Sequence, residues 1–98
     1  MSDYSFKAAI WLYQGKAAWH FVTLPKAISQ EIRVLSFDKQ AAWGSVRVSV
    51  TIGSTSWKTS IFPDTKAGAY LLPIKADVRK KEKIEAGDTV TVKLEAAV

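Results

Sequence analysis

The sequence predicts a mainly β, α+β domain built from one ββαβ unit used twice. Three observations predict it. Apolar and polar residues alternate strand-fashion along most of the chain. Two short helical stretches interrupt the strands, one in each half. The hexapeptide "FKAAIW" at 6–11 returns as "WKTSIF" at 57–62, in each case aromatic, Lys, small, small, Ile, aromatic.

Each element follows from local pattern. Residues 4–13 alternate, with Phe6, Ala8, Ile10 and Leu12 on one side and Lys7, Ala9, Trp11 and Tyr13 on the other. Gln14-Gly15-Lys16 is a turn. Residues 18–24, "AWHFVTL", are aromatic and β-branched and form the second strand of a hairpin. Pro25 ends it. In "KAISQEIRVL" Ile28, Ile32 and Leu35 share one helical face, and Ser29 is a candidate cap for a shorter helix. Residues 36–44 are a loop. In 45–52, Val46, Val48, Val50 and Ile52 face inward, while Arg47, Ser49 and Thr51 face out, the pattern of an antiparallel or barrel strand. Gly53-Ser54 is a tight turn and 55–62 the fourth strand. "PDTKAG" turns the chain into a fifth strand at 69–74, where Pro73 falls near the end. Residues 75–83 form a second short helix. Ala86-Gly87-Asp88 is a structural turn, with Gly for a positive φ, before the last strand at 89–95.

A second match supports the repeat. "FVTLPKAI" ends the second strand of the first half, and "YLLPIKADV" ends its counterpart. The offset falls from 51 at the hexapeptides to 48 at the Leu-Pro pairs, which a shorter second hairpin loop explains. The expected organisation is one domain over 1–98, with pseudo-repeats at about 4–52 and 55–95. The duplication supplies within one chain what a dimer partner would, so a monomer is expected.

Composition bounds the function. Apolar residues make up 48% of the chain and charged residues 23%, which suits a soluble globular fold. No apolar run reaches the roughly 18 residues of a membrane span. The first residues lack the basic and apolar regions of a signal peptide. There is no cysteine, which removes disulfides, thiolate catalysis and Cys-ligated metals. A cytoplasmic protein is expected. Fourteen Lys and Arg against nine Asp and Glu give +5, which keeps nucleic acid among the ligands.

Two resemblances rest on quoted motifs. Arg79, Ile84, Gly87, Asp88 and Val90 stand at the spacing of the "R-x-x-L-G-I-x-x-G-D-x-V" segment of AbrB/MazE-type swapped-hairpin domains. Glu82 and Lys83 replace the usual Leu-Gly there, and the Pro73-to-Arg79 step is two residues long of the pattern. Over nearly its whole length the chain resembles the bacterial and archaeal family of domain of unknown function nineteen-oh-five. The matching positions are Trp19, Phe21, Val22, Leu24 and Pro25; 43–46, "WGSV"; 57–63, "WKTSIFP"; Gly68, Tyr70 and 72–75, "LPIK"; Arg79; and Gly87, Asp88, Val90 and Val92. The resemblance implies a double-split β-barrel capped by short helices. That family has no established function, so it implies no activity.

Candidate sites are few. His20, the single histidine, Ser60 and Asp64 are the materials of a hydrolytic triad, but no nucleophile-elbow motif accompanies them. His20 is better explained as a hydrogen-bonded strand residue, and no enzyme is expected. Asp77, Glu82, Glu85 and Asp88 lack a metal-binding pattern, there is no glycine-rich phosphate loop, and no cofactor or metal is expected. Ser60, Tyr70 and Arg79, with Trp57, are candidate ligand residues at one barrel end, Arg79 offering a fork for a carboxylate or other small anion. Arg79 is equally suited to bond strand-end carbonyls or pair with Asp88. Lys75, Arg79 and Lys83 on one helical stripe, with Lys80 and Arg47, are the candidate nucleic-acid contacts. Cations at a helix C-terminus also serve the helix dipole, and Asp77–Lys81 is a favourable pair. Trp11, Trp19, Trp43 and Trp57 form either a stacking platform beside Lys7, Arg47 and Lys58 or the barrel core, and core is the expectation. The leading expectation is a non-catalytic binding or accessory domain for a small ligand or protein. Nucleic-acid binding by analogy with AbrB-type barrels is the alternative, and a hydrolase using His20 and Ser60 is a remote third.

Overall fold

The computed structural model describes residues 2–15, 18–37 and 44–97. Trp43 and most of the predicted 36–44 loop lie outside the described residues, as does Lys16 of the first turn. The elements run β1 (Ser2–Leu12), β2 (His20–Thr23), α1 (Lys26–Leu35), β3 (Val46–Ile52), β4 (Thr55–Asp64), β5 (Ala69–Pro73), α2 (Ala76–Glu82) and β6 (Thr89–Ala96). The strands close into an antiparallel barrel in the order β1-β2-β5-β4-β3-β6. The fold is thus a mainly β barrel with two short helices, in ββαβ-ββαβ order.

Alternation decides what fills it. Val46, Val48, Val50 and Ile52 of β3 all point inward and are buried. Phe6, Ile10, Val22, Ile61 and Leu72 join them from the other strands, Leu24 and Ile74 from just past β2 and β5, and Val90, Val92 and Leu94 from β6. The interior is largely aliphatic. Burying each such side chain stabilises the fold by about 1.5–3 kcal/mol, against a backbone-ordering cost of about 1–2 kcal/mol per residue.

Local context adjusts three positions. Leu12, on the side of Phe6 and Ile10, does not share their burial and is exposed, because it lies where the β1–β2 ladder ends opposite His20. Leu35, on the helical face of Ile28 and Ile32, is exposed as well; α1 packs on β5, with Ile32 and half-buried Ile28 as its apolar contacts. Ser29 does not cap α1. It lies inside the helix, buried, and its Oγ accepts the backbone N–H of Tyr70 at 3.1 Å. Pro25 takes the N-cap position, where a missing N–H removes no ladder bond.

The halves superimpose in register as well as in order. Shifting β1 by 51 and β6 back by 42 carries Tyr4↔Leu94 onto Thr55↔Ile52 and Ala9↔Thr89 onto Ser60↔Arg47, pairs that β4 and β3 make. Shifting β2 by 50 carries Trp11↔Phe21 onto Phe62↔Leu71 and Leu12↔His20 onto Pro63↔Tyr70. The pseudo-two-fold axis passes through Val22↔Leu72. Around it the bonds are reciprocal: Leu24 N–H donates to Tyr70 O at 2.9 Å, and Ile74 N–H to His20 O at 2.8 Å. The structural offset at β2 and β5 is therefore 50, against the 48 that the Leu-Pro pairs suggest. Pro25 caps a helix while Pro73 closes a strand, and Lys75 is the N-cap that matches Pro25.

Helix α2 is tied to the β3–β4 turn. Gly53 opens this two-residue turn with a φ of 59°, the geometry that matches strand twist. A Cβ at Gly53 would run into the Glu82 carboxylate. Glu82 Oε2 accepts Thr55 Oγ1–H at 2.5 Å and Ser54 Oγ–H at 3.3 Å. The Thr55 bond is the main cause that holds the Glu82 carboxyl below its ordinary value of 4.5; partial desolvation opposes it and the Ser54 bonds add to it. A carboxyl whose folded pKa is depressed stabilises the fold above its unfolded pKa and loses that contribution as pH falls through its folded pKa. Glu82→Gln is therefore expected to be less stable than wild type at neutral pH. The difference should shrink as the pH drops below about 4.5, as read by urea denaturation at a series of pH values.

Candidate functional site: an exposed aromatic face

The barrel wall formed by β1, β2, β5 and β4 turns aromatic rings to the outside. Trp11 pairs with Phe21, and Thr23 with Leu71, which pairs in turn with Phe62. Opposite residues of an antiparallel pair project to the same face, so these side chains form one sheet of apolar surface. Trp11 lies 5.3 Å from Phe21 between ring centroids. Trp19 stacks on Phe21 at 5.8 Å and 13°, and Tyr13 meets Phe21 edge-on at 6.2 Å. Tyr13 N–H donates to Trp19 O at 2.8 Å, which extends the hairpin by one rung and fixes Trp19 beside the strand. The indole N–H of Trp11 donates to Thr23 Oγ1 at 2.9 Å and locks that ring in place. Together with Phe62, Leu71 and Lys66 they border an open groove of about 600 Å³. Trp19 is 51% exposed and Phe62 42%. Contiguous exposed apolar surface of this kind marks interaction sites.

The tryptophans therefore divide. Trp57 packs partly buried against the core, with its Nε1 buried and without a hydrogen-bond partner. Trp11 and Trp19 line the outer groove, which corrects the expectation that the tryptophans are core. Parity carried the signal: Trp11 and Tyr13 fall on the row opposite Ile10, and Trp19 on the row of Phe21. Tyr13, Phe21 and Phe62 were not among the predicted site residues, and the same parity, with Phe62 opposite Ile61, could have found Phe62.

The other candidates are placed as follows. Ser60 lies on β4 and accepts from Arg47 Nη1 at 3.4 Å. Arg79 is half-buried on α2 and donates from Nε to Ile74 O at 3.3 Å, a strand-end carbonyl. Tyr70 is buried on β5, where it also borders a second groove of about 510 Å³ with Ser29 and Arg33. Ser60 thus bonds to Arg47, and Arg79 to its own strand end. Lys75 precedes α2 and Lys80 is exposed within it. Lys83 leaves the helix in a left-handed conformation, φ 54°, so the predicted Lys75–Arg79–Lys83 stripe does not continue through it. His20 Nδ1 lies 2.9 Å from Ala18 O, and β5 stands between its strand and that of Ser60. Among the described residues no group of three or more His, Asp or Glu side chains is placed to hold a metal, and no helix is long and apolar enough to cross a membrane.

A family model, domain of unknown function DUF1905, matches residues 6–94. The chain belongs to the DUF1905 family. No curated protein matches it. The DUF1905 residues noted in the sequence fall into both layers of this barrel. Trp19 and Phe21 build the outer face, while Val22, Leu24, Tyr70 and Leu72 lie beneath it in the core. Gly87 adopts a φ of 98° in its turn. Truncation should separate the layers in this DUF1905 chain. Trp57→Ala is expected to cost about 3 kcal/mol, and Trp19→Ala to change stability by less than about 1 kcal/mol, as measured by chemical denaturation.

Proposed function

We propose that this DUF1905 chain is a small, non-catalytic, cytoplasmic binding domain, monomeric, that captures its ligand on the aromatic face. The observation that carries the reading is the set of rings held outward by two strands and a hairpin rung, around a groove large enough for a ligand group. Trp11 is fixed by Thr23, and Trp19 by Phe21 and the Tyr13 bond, so the surface is organised before anything binds. Preorganised rings bury apolar area on binding with little loss of side-chain freedom. Two observations support a binding role over hydrolysis. His20 and Ser60 sit on strands that do not pair, and each has a partner of its own. Nucleic acid is the second reading, favoured by the charge of +5. Fold analogy with AbrB-type barrels adds little to it.

The test is a tryptophan-emission titration against single-stranded DNA and RNA, duplex DNA, proline-rich peptide and oligosaccharide. At least one class is expected to shift the emission, and the shift should vanish in a Trp19→Ala, Phe62→Ala double variant that still folds. Silence across all classes, or binding that survives the double variant, would overturn the aromatic face as the site.

A further inference from the structure

The two copies of the hexapeptide occupy equivalent positions on β1 and β4, the strands that flank the aromatic face. Alternation turns Phe6 and Ile10 of one copy, and Trp57 and Ile61 of the other, toward the core. It turns Lys7 and Trp11, and Lys58 and Phe62, to the opposite side, where both lysines are exposed. Each flank therefore carries an ammonium and a ring on one outward row, four residues apart, a span of about 13 Å. Across the pseudo-two-fold the pattern is presented twice. On β4 the interval is not empty: Arg47 reaches Ser60 midway between Lys58 and Phe62. Lys66 stands on the groove rim.

We propose that the face binds single-stranded nucleic acid, with bases stacked on Trp19, Trp11 and Phe62 and phosphates held by Lys7, Lys58 and Arg47. This deepens the proposed function and rests on the aromatic face being the site. Rings alone fit many ligands; a ring and a cation together on each flanking row fit a chain that carries both π-faces and negative charge. The charge of +5 is complementary to such a chain and opposes a second copy of the protein as occupant. A proline-rich peptide needs donors for its carbonyls, and the Trp11 N–H is already given to Thr23. Of the acids nearby, Asp64 borders the groove, but its Oδ1 accepts the Lys66 backbone N–H at 3.1 Å within the turn. Asp3 and Glu95 face each other across β1 and β6, away from the rings, and Ser49 of β3 stands between Glu95 and Lys58.

The experiment is fluorescence anisotropy with labelled mixed-sequence single strands and the matching duplex, from low to physiological salt. The single strand should bind more tightly than the duplex. Its log K should fall against log salt with a slope of about −2, the value for three phosphate contacts. Trp19→Ala and Phe62→Ala should each weaken binding by about tenfold. Lys7→Gln with Lys58→Gln should flatten the slope by about 1.4. Thermal melts confirm that each variant is folded. No single-strand binding at low salt overturns the inference, as does duplex binding of equal strength that ignores the ring variants. Capture of the proline-rich peptide or oligosaccharide through Trp19 without the single strand also overturns it, while leaving the aromatic face as the binding site.

Discussion

The rest of the molecule depends on the seam between β2 and β5. It is one of the two ladders through which the pseudo-two-fold axis passes, the other being β3 to β6. At its centre Val22 and Leu72 face each other, both fully buried. The reciprocal bonds of Leu24 to Tyr70 and of Ile74 to His20 lie on either side. If this seam opened, β2 and β5 would each have an unpaired edge, and the interior would meet water there. The same seam sets the outer surface. Phe21 and Leu71 are the chain neighbours of Val22 and Leu72, so closing the core brings the two ring-bearing hairpins side by side.

A single alternating pattern thus produces two layers with different work. Its inward members are aliphatic and interlock; its outward members on this wall are aromatic. On the opposite wall, formed by β3 and β6, the outward positions are Ser, Thr and charged residues, as in Ser49, Thr51, Lys93 and Glu95. Solubility would favour a polar exterior throughout, so the rings stand out as a departure that stability does not require. Departures of this kind concentrate at functional sites. Helix α2 contributes at the other end of the barrel, where Glu82 reaches the hydroxyls of Ser54 and Thr55. Lys83 ends the helix in the left-handed conformation that glycine tolerates best.

Much of the fold was legible because a strand period of two leaves its mark on the sequence, above all in 46–52. The repeat was legible for the same reason. Its register was not. The Leu-Pro pairs match as text at an offset of 48, but Pro25 and Pro73 do different jobs, and backbone bonds set the offset at 50. Trp11 was legible as an outward residue from its parity. Trp19 was legible in the same way, because it shares a row with Phe21, and the rung to Tyr13 carries that alternation one residue past the start of β2. Arg79, Ser60 and Tyr70 looked alike as polar groups near one end; their separate partners follow from tertiary contacts that spacing cannot encode.

Native-state hydrogen exchange at the amides of Leu24 and Ile74 tests the seam most directly. Both donate across it, and they are equivalent under the pseudo-two-fold. The two amides should exchange together and slowly, only when the whole barrel unfolds. Fast exchange at either one, while Val48 and Val92 stay protected, would contradict a barrel closed through β2 and β5 and, with it, the aromatic face that the seam holds together.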